Sequence, residues 1–251
     1  MRGFDNMNRF CCLAKDISGD LIIINDLAQV HHIKNVLKLK PQEKVAVFDE
    51  LGNEFICVID KIDRLVVLDI KKRIDKRIKK FNLTVACAIP KNCKFDDIVD
   101  KLTQLGVDRI IPLNTERVIV RLNKHKESLR LNRWKTIALS AAKQSQRNSV
   151  PIVDSVKSLN EVVSETRDFD LKLIPTLEGM RKTLKEVLPD LNKKINLNVI
   201  VLIGPEGDFT EKEVSLSKQV DFIPITLGDL VMRVDTAAIF IASCIRVYEI
   251  D

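Results

Sequence analysis

Two rhythms of apolar and polar positions run along the chain, and one gives way to the other near residue 75. In the first stretch the apolar residues form short runs: Leu21-Ile-Ile-Ile24, Lys44-Val-Ala-Val-Phe48, Glu54-Phe-Ile-Cys-Val-Ile59 and Leu65-Val-Val-Leu-Asp-Ile70. Runs of this length, rich in Val, Ile and Phe, predict β-strands, and Asp49-Glu-Leu-Gly-Asn53 predicts a hairpin between two of them. His31 to Lys38 breaks the series with a helical spacing that sets Ile33, Val36 and Leu37 on one face. Short strands joined by tight turns predict a small β-barrel. The basic run Lys71-Lys-Arg-Ile-Asp-Lys-Arg-Ile-Lys-Lys80 closes it and reads as a domain boundary, giving domains 1–75 and 76–251.

Beyond the boundary, strands alternate with helices. Leu83-Thr-Val-Ala-Cys-Ala-Ile89 is a strand ended by Pro90. Phe95, Ile98, Val99, Leu102 and Leu105 recur at helical spacing, with Gly106 where a C-terminal cap belongs. Arg109-Ile-Ile-Pro-Leu113 is the next strand. A long helix over about 128–145 turns Leu131, Trp134, Ile137, Ala138, Ala141 and Ala142 inward. A strand at Leu171-Lys-Leu-Ile174 and a helix around 181–187 precede two units of one design. Val199 to Ile203 is a doubly buried strand that stops at Gly204-Pro-Glu-Gly207, and Thr210 with Glu213 forms a capping box for the next helix. Asp221-Phe-Ile-Pro-Ile-Thr-Leu-Gly228 repeats the strand and glycine, and a helix runs from about Asp235 to the end. The alternation predicts a parallel, helix-covered α/β sheet. Glycine loops at the carboxyl ends of such strands are where ligands bind.

Composition narrows the classes. With 251 residues and 45% hydrophobic content, the chain can build one large or two modest cores. The net charge of +6 is a mild basic excess, compatible with a nucleic-acid partner. The longest apolar runs fall far short of the ~20 residues of a membrane span. The first residues lack the apolar core of a signal peptide, and the six cysteines form no Cys-x-x-Cys pair. A cytoplasmic protein without disulfides is expected. Three histidines with no ligand spacing to acids or cysteines predict no metal site.

No Gly-x-Gly-x-x-Gly follows the first strand of the second half, and there is no Walker loop, Gly-x-Ser-x-Gly elbow or Cys/His pair. What remains is the pair of glycine loops and the scattered arginines Arg117, Arg121, Arg147 and Arg233.

Several segments, in order, carry a resemblance. The most specific are Leu202-Ile-Gly-Pro-Glu-Gly207 and the run from Leu227-Gly228 through Arg233 and Asp235-Thr-Ala237. Weaker matches are Asn8-Arg-Phe10, His32 to Lys38, Lys94 to Lys101, Leu105-Gly-Val107, Thr115-Glu-Arg117 and Gln144 to Asn148. Through them the second half resembles the SPOUT superfamily of S-adenosylmethionine-dependent RNA methyltransferases. The whole chain resembles its RsmE family, which methylates uracil N3 in 16S ribosomal RNA. The resemblance implies an N-terminal PUA-like or OB-like β-barrel, then a SPOUT α/β domain with a parallel sheet and a trefoil knot, in a homodimer. It implies S-adenosylmethionine held by the loops after Ile174, Ile203 and Leu227. The cofactor-binding set is then Leu173, Pro175, Leu202, Ile203, Gly204, Pro205, Glu206, Gly207, Leu227, Gly228, Leu230, Met232, Arg233, Thr236 and Ala237. The RNA-binding set is Arg9, Lys34, Lys38, Arg117 and Gln144. The chain departs from the family where Asp208 stands for a loop glycine, Leu230 for an arginine, Asp235 for a glutamate, and Lys143 and Gln104 for glutamates.

Uracil N3 carries a proton, so methylation requires removing it or stabilising the charge that spreads onto O2 and O4. An arginine suits the second role because its fork spans two oxygens. Arg147 is the candidate catalytic residue; as a helix-end charge it would instead serve the macrodipole. Glu206 receives no proton-transfer role. Two other readings stay open: a non-catalytic RNA-binding relative with a decayed cofactor site, and an α/β enzyme acting on a small metabolite.

Overall fold

The computed structural model describes residues 7–74, 79–90, 95–117, 124–177, 179–188 and 195–248. The chain divides into two compact units. Met1–Arg77 joins with Ala142–Val150 in the first, and Ile78–Ala141 joins with Pro151–Asp251 in the second.

In the first unit, β1 (Arg9–Cys12), β2 (Ile17–Ser18), β3 (Leu21–Ile24), β4 (Lys44–Asp49), β5 (Glu54–Ile62) and β6 (Val66–Ile74) form a curled sheet in the order β1-β4-β5-β6-β3-β2. The expected hairpin joins β4 to β5, where Asp49 accepts from the Leu51 and Asn53 amides. Two irregularities in the β5–β6 register bend the long strands, as bulges do. Alternate residues point into one core: Phe10, Ile22, Ile24, Val45, Val47, Phe55, Cys57, Ile59, Val66 and Leu68 are all buried. The helix differs from expectation. It begins earlier, as α1 (Leu27–His31), because Asp26 accepts from the Gln29 amide at 2.8 Å and caps it. It continues as a wide π-turn over His32–Val36. The wide turn breaks the 3.6-residue spacing: Ile33 is wholly buried but Val36 is 58% exposed.

The basic run also differs. β6 continues to Ile74, so Lys71, Lys72 and Arg73 are strand residues rather than linker. The Arg73 guanidinium lies 5.5 Å from the Phe55 ring centre. Residues 75–78 of the run lie outside the described residues.

The first unit is completed by a segment distant in sequence. Arg9 Nη1 donates to Glu54 Oε1 at 2.5 Å, with side chains only 6% and 4% exposed. Arg9 Nη2 donates to the Arg147 carbonyl at 3.1 Å. Lys143 Nζ reaches Gln29 Oε1 at 3.2 Å, and the Gln29 amide pairs with both backbone groups of Cys11. The unit therefore comprises more than the contiguous 1–75. Arg9→Ala would break the buried ion pair with Glu54, a loss that typically costs about 3–5 kcal/mol. A drop of that order in stability by chemical denaturation is expected, and no change beyond a few tenths would contradict it.

In the second unit, β7 (Phe81–Ala88), β8 (Arg109–Asn114), β9 (Ile152–Val153), β10 (Lys157–Ser158), β11 (Leu171–Pro175), β12 (Lys182–Thr183), β13 (Leu197–Ile203) and β14 (Ile223–Thr226) form one sheet. Its order is β10-β8-β7-β13-β11-β14-β12, with β9 also on β8, and every pairing is parallel. Among the described residues, six helices accompany it: α2 (Phe95–Gln104), α3 (Lys124–Gln144, whose last residues belong to the first unit), α4 (Leu159–Ser164), α5 (Leu184–Val187), α6 (Glu211–Gln219) and α7 (Val234–Val247). Strand β13 is central, which explains its unbroken apolar run: Val199 to Ile203 are all buried. Gly106 ends α2 in the left-handed region at φ +85°, as the cap requires. Trp134 packs on Phe95 at 4.7 Å between ring centres, and its indole N–H donates to Asp96 at 3.1 Å. The short β9, β10, α4 and β12 were not legible as separate elements, since two-residue strands carry no periodicity.

Candidate active site

Strands β13, β11 and β14 are neighbours and parallel, so the loops that follow them leave the same edge of the sheet. Between them lies an open cleft. The loop after β13 supplies Gly204, Pro205, Glu206 and Asp208; the loop after β11 supplies Thr176, Leu177 and Arg181; the loop after β14 supplies Leu227, Gly228, Leu230, Val231 and Met232. Pro175 and Ile203 form strand ends in its wall, and Val234 and Ala237 open α7. The walls are apolar, with a few polar groups between them, which is the make-up of a small-molecule site.

Most of the expected cofactor set is brought together here: Pro175, Ile203, Gly204, Pro205, Glu206, Leu227, Gly228, Leu230, Met232 and Ala237 all line the cleft. Leu173 and Leu202 do not. Both are wholly buried in their strands and support the wall from behind. Gly207, Arg233 and Thr236 also lie outside the lining, and Arg233 pairs with Asp235 at 3.7 Å. Sequence reasoning missed Thr176, Leu177, Arg181, Asp208, Thr226, Val231 and Val234. A signal was present for the first three: an apolar strand followed by Gly179 at φ +83° repeats the design of the two units already recognised.

The three loop glycines serve different purposes. A Cβ on Gly204 would come within 3.0 Å of the Phe209 ring, which is buried in the core, so packing rather than ligand approach requires this glycine. A Cβ on Gly207 would meet Arg117 Cδ at 3.4 Å. Only Gly228 fits the expected pattern, with φ +119° and nothing within 4 Å of the added carbon.

The glycine loop is braced from β8. Arg117, exposed at the end of Thr115-Glu-Arg117, donates through Nη1 to the Gly207 carbonyl. Glu213 accepts from Thr210 N–H at 2.8 Å, completing the expected capping box, and its other oxygen accepts from Glu116 N–H at 2.9 Å. Arg117 thus already holds the loop whether or not it meets RNA. Asp208, in place of a glycine, does take the left-handed conformation, at φ +61°. Its carboxylate accepts from Leu177 N–H at 2.7 Å and from Phe209 N–H at 2.8 Å, so the departure is accommodated.

The remaining candidates belong to the first unit. Lys34 lies exposed on the π-turn, and Lys38 is exposed just beyond it at φ +52°. Gln144 is exposed at the end of α3. Arg9 is withdrawn into its pair with Glu54 and the Arg147 carbonyl, a bracing position rather than an exposed one. Arg147 follows α3 in a Schellman turn: its N–H donates to Ala142 O at 2.9 Å, and Gln146 takes φ +56°. Its guanidinium is half-buried and contacts Ser149 Oγ at 3.4 Å. Arg121 lies outside the described residues. Among the described cysteines, burial pushes the Cys12 and Cys57 thiols up to about 12, so neither is a ready nucleophile.

The family described as RNA methyltransferase domain matches residues 77–246, and that described as RNA methyltransferase PUA domain matches residues 24–70. Ribosomal RNA small subunit methyltransferase E of Mesomycoplasma hyopneumoniae is 32% identical over 223 residues, 86% of this chain and 91% of that protein. The chain belongs to the ribosomal RNA small subunit methyltransferase E family. The Bacillus subtilis family member is 30% identical over 223 residues, 86% of each chain. The crystal structure of the Neisseria gonorrhoeae family member bound to S-adenosyl methionine superposes with a TM-score of 0.81 at 27% identity, covering 96% of this chain and 98% of that one. The curled sheet and the parallel sheet are thus the family's PUA and SPOUT domains. Among the described residues, no helix is long and apolar enough to cross a membrane, and no group of three or more acids, histidines and cysteines could hold a metal.

Proposed function

We propose that this protein transfers a methyl group from S-adenosylmethionine to N3 of a uridine in 16S ribosomal RNA, in the cytoplasm. The cleft carries the reading: three loops from adjacent parallel strands meet around it in a chain of this family. When bound, the cofactor supplies a methyl on a positively charged sulfur. The residues present fit it. Ile203, Leu227, Val231 and Met232 offer apolar surface to a flat ring, and the open space beside Gly228 lets backbone come close. Arg181 is a cation in the lining that suits a carboxylate.

Arg147 is the proposed donor to the uracil oxygens as N3 loses its proton. Its loop is fixed by the Schellman turn and by the Arg9 grip on its carbonyl, which supplies the positional precision such a donor needs. Lys34, Lys38 and Gln144 are proposed to meet the RNA, with phosphate contacts that position it. Replacing both lysines by alanine is expected to lower the salt dependence of RNA binding by about two units. An unchanged slope would remove them from the interface.

Homodimerisation through α7 and a trefoil knot around the cleft complete the proposal. The apolar Phe240 and Val247 of α7 lie exposed, at 37% and 62%, and support the first; sedimentation as a monomer at micromolar concentration would oppose it. The decisive experiment is mass spectrometry of ribosomal RNA nucleosides from cells lacking the protein. Loss of 3-methyluridine supports the reading, and its undiminished presence overturns it.

A further inference from the structure

Asp208 occupies a position that its backbone reserves for glycine. At φ +61° it lies in the region where a Cβ crowds the chain, and aspartate is among the few residues that tolerate it. A strained backbone persists where surrounding contacts fix it, and such positions cluster at functional sites. The contacts here join two loops. Asp208 N–H donates to the Pro205 carbonyl at 2.9 Å, which closes the turn after β13. Its Oδ1 accepts from Phe209 N–H at 2.8 Å, and Phe209 is anchored in the core. Its Oδ2 accepts from Leu177 N–H at 2.7 Å, in the loop after β11. Asp208 and Leu177 both line the cleft.

Thr176 N–H, one residue before Leu177, still bonds to Ile225 O at 3.1 Å, as a continuation of the sheet. In this loop Leu177 is 45% exposed and Met180 91%. Arg181 Nη1 returns to the Thr176 carbonyl at 3.0 Å, a bond within the same loop. The Asp208 carboxylate thus ties this wall of the cleft to the glycine-loop wall.

We propose that Asp208 is a positioning residue: its carboxylate clasps the loop after β11 to the loop after β13 and so preforms the cofactor cleft. The proposal rests on the cleft being the S-adenosylmethionine site. If the clasp opens, the competent cleft is populated only part of the time, and apparent affinity falls by that fraction.

The test compares Asp208→Gly with Asp208→Asn in the full-length protein. Glycine relieves the backbone and removes the clasp. Asparagine tolerates the same φ and keeps one of the two acceptor oxygens, which a turn of its amide presents to Leu177 N–H at the expense of the bond from Phe209 N–H. Amide hydrogen exchange at Leu177, read without cofactor, is expected to accelerate about tenfold in the glycine variant, while Thr176 stays unchanged. S-adenosylmethionine affinity by calorimetry should fall roughly tenfold, the loss expected when the competent cleft is populated about a tenth of the time. The asparagine variant should stay within about threefold of the parent on both readouts. Three outcomes overturn the clasp: a glycine variant with parental Leu177 exchange and affinity; an asparagine variant as impaired as glycine, which would make the charge itself the active property; or a uniform rise in exchange at Leu177 and Thr176 alike, the mark of a general stability role. A parent protein that fails to bind S-adenosylmethionine would sink the functional reading, while the Leu177 exchange would still decide the clasp.

Discussion

Replacing Arg147 by alanine is expected to slow single-turnover methyl transfer by about 10²–10³, the usual effect of losing one preorganised donor to developing negative charge. S-adenosylmethionine affinity should stay within a few-fold, because the cleft lining contains no residue of the 142–150 segment. RNA affinity should stay within roughly tenfold, since a group that engages only as N3 loses its proton adds little to ground-state binding. Arg147→Lys should rescue little, because an ammonium cannot fork across two oxygens. The loop should survive the substitution. Its shape comes from the backbone bonds of Arg147 N–H to Ala142 and of Arg9 to the Arg147 carbonyl, neither of which uses the Arg147 side chain. If saturating RNA restores the rate and the salt slope falls by about one unit, Arg147 grips phosphate and the catalytic assignment is wrong.

Gly228→Val should reduce S-adenosylmethionine affinity by at least two orders of magnitude. At φ +119° a β-branched residue is strained wherever it points, typically by about 1–3 kcal/mol, so the loop must shift. A valine that does fit places its methyls beside the cleft that Gly228 lines. Either way the wall after β14 changes. The fold should not: Gly228 is exposed, and far-ultraviolet circular dichroism should match the parent. Gly204→Ala makes a useful contrast. There the added carbon meets the Phe209 ring, so the penalty should appear in thermal stability as well. Undiminished affinity in Gly228→Val would place the cofactor elsewhere.

Much of this molecule is readable from its residues. The long elements carry clear periods, and β4, β5, β7, β8, β11, β13, α2, α6 and α7 lie where the apolar pattern puts them. The two glycine loops after β13 and β14 are legible because strand, glycine and cap occur together at fixed spacing. The third, after β11, is reached only through the family resemblance, because no glycine directly follows its strand and Thr176, Leu177 and Arg181 resemble ordinary surface residues. Arg9 shows the deeper limit. An arginine near the start of a basic chain reads as a phosphate contact, yet only the folded chain brings Glu54 and the Arg147 carbonyl to it. Asp208 shows the reverse. Its departure from a glycine pattern is visible in sequence, but the hydrogen bonds that make the departure tolerable come from Leu177 and Phe209 in space.

The grip of Arg9 on residue 147 also bears on how the protein is made. Synthesis delivers the chain from its N-terminus at ~5–20 residues per second, and domains ordinarily fold as they emerge. The first unit cannot finish that way. When Arg77 leaves the ribosome, all six strands of the curled sheet have been made, but the segment Ala142–Val150 has not. Until it arrives, Arg9 and Glu54 have each other but not the carbonyl that completes their setting. The N-terminal unit must wait through the synthesis of β7, α2, β8 and α3, so its last step of assembly and the early growth of the second sheet are kinetically joined. The lag is several seconds at that elongation rate. A nascent chain stalled as Arg77 clears the exit tunnel should therefore resist a protease less well than one stalled after Val150 has cleared it, even though both display the whole curled sheet.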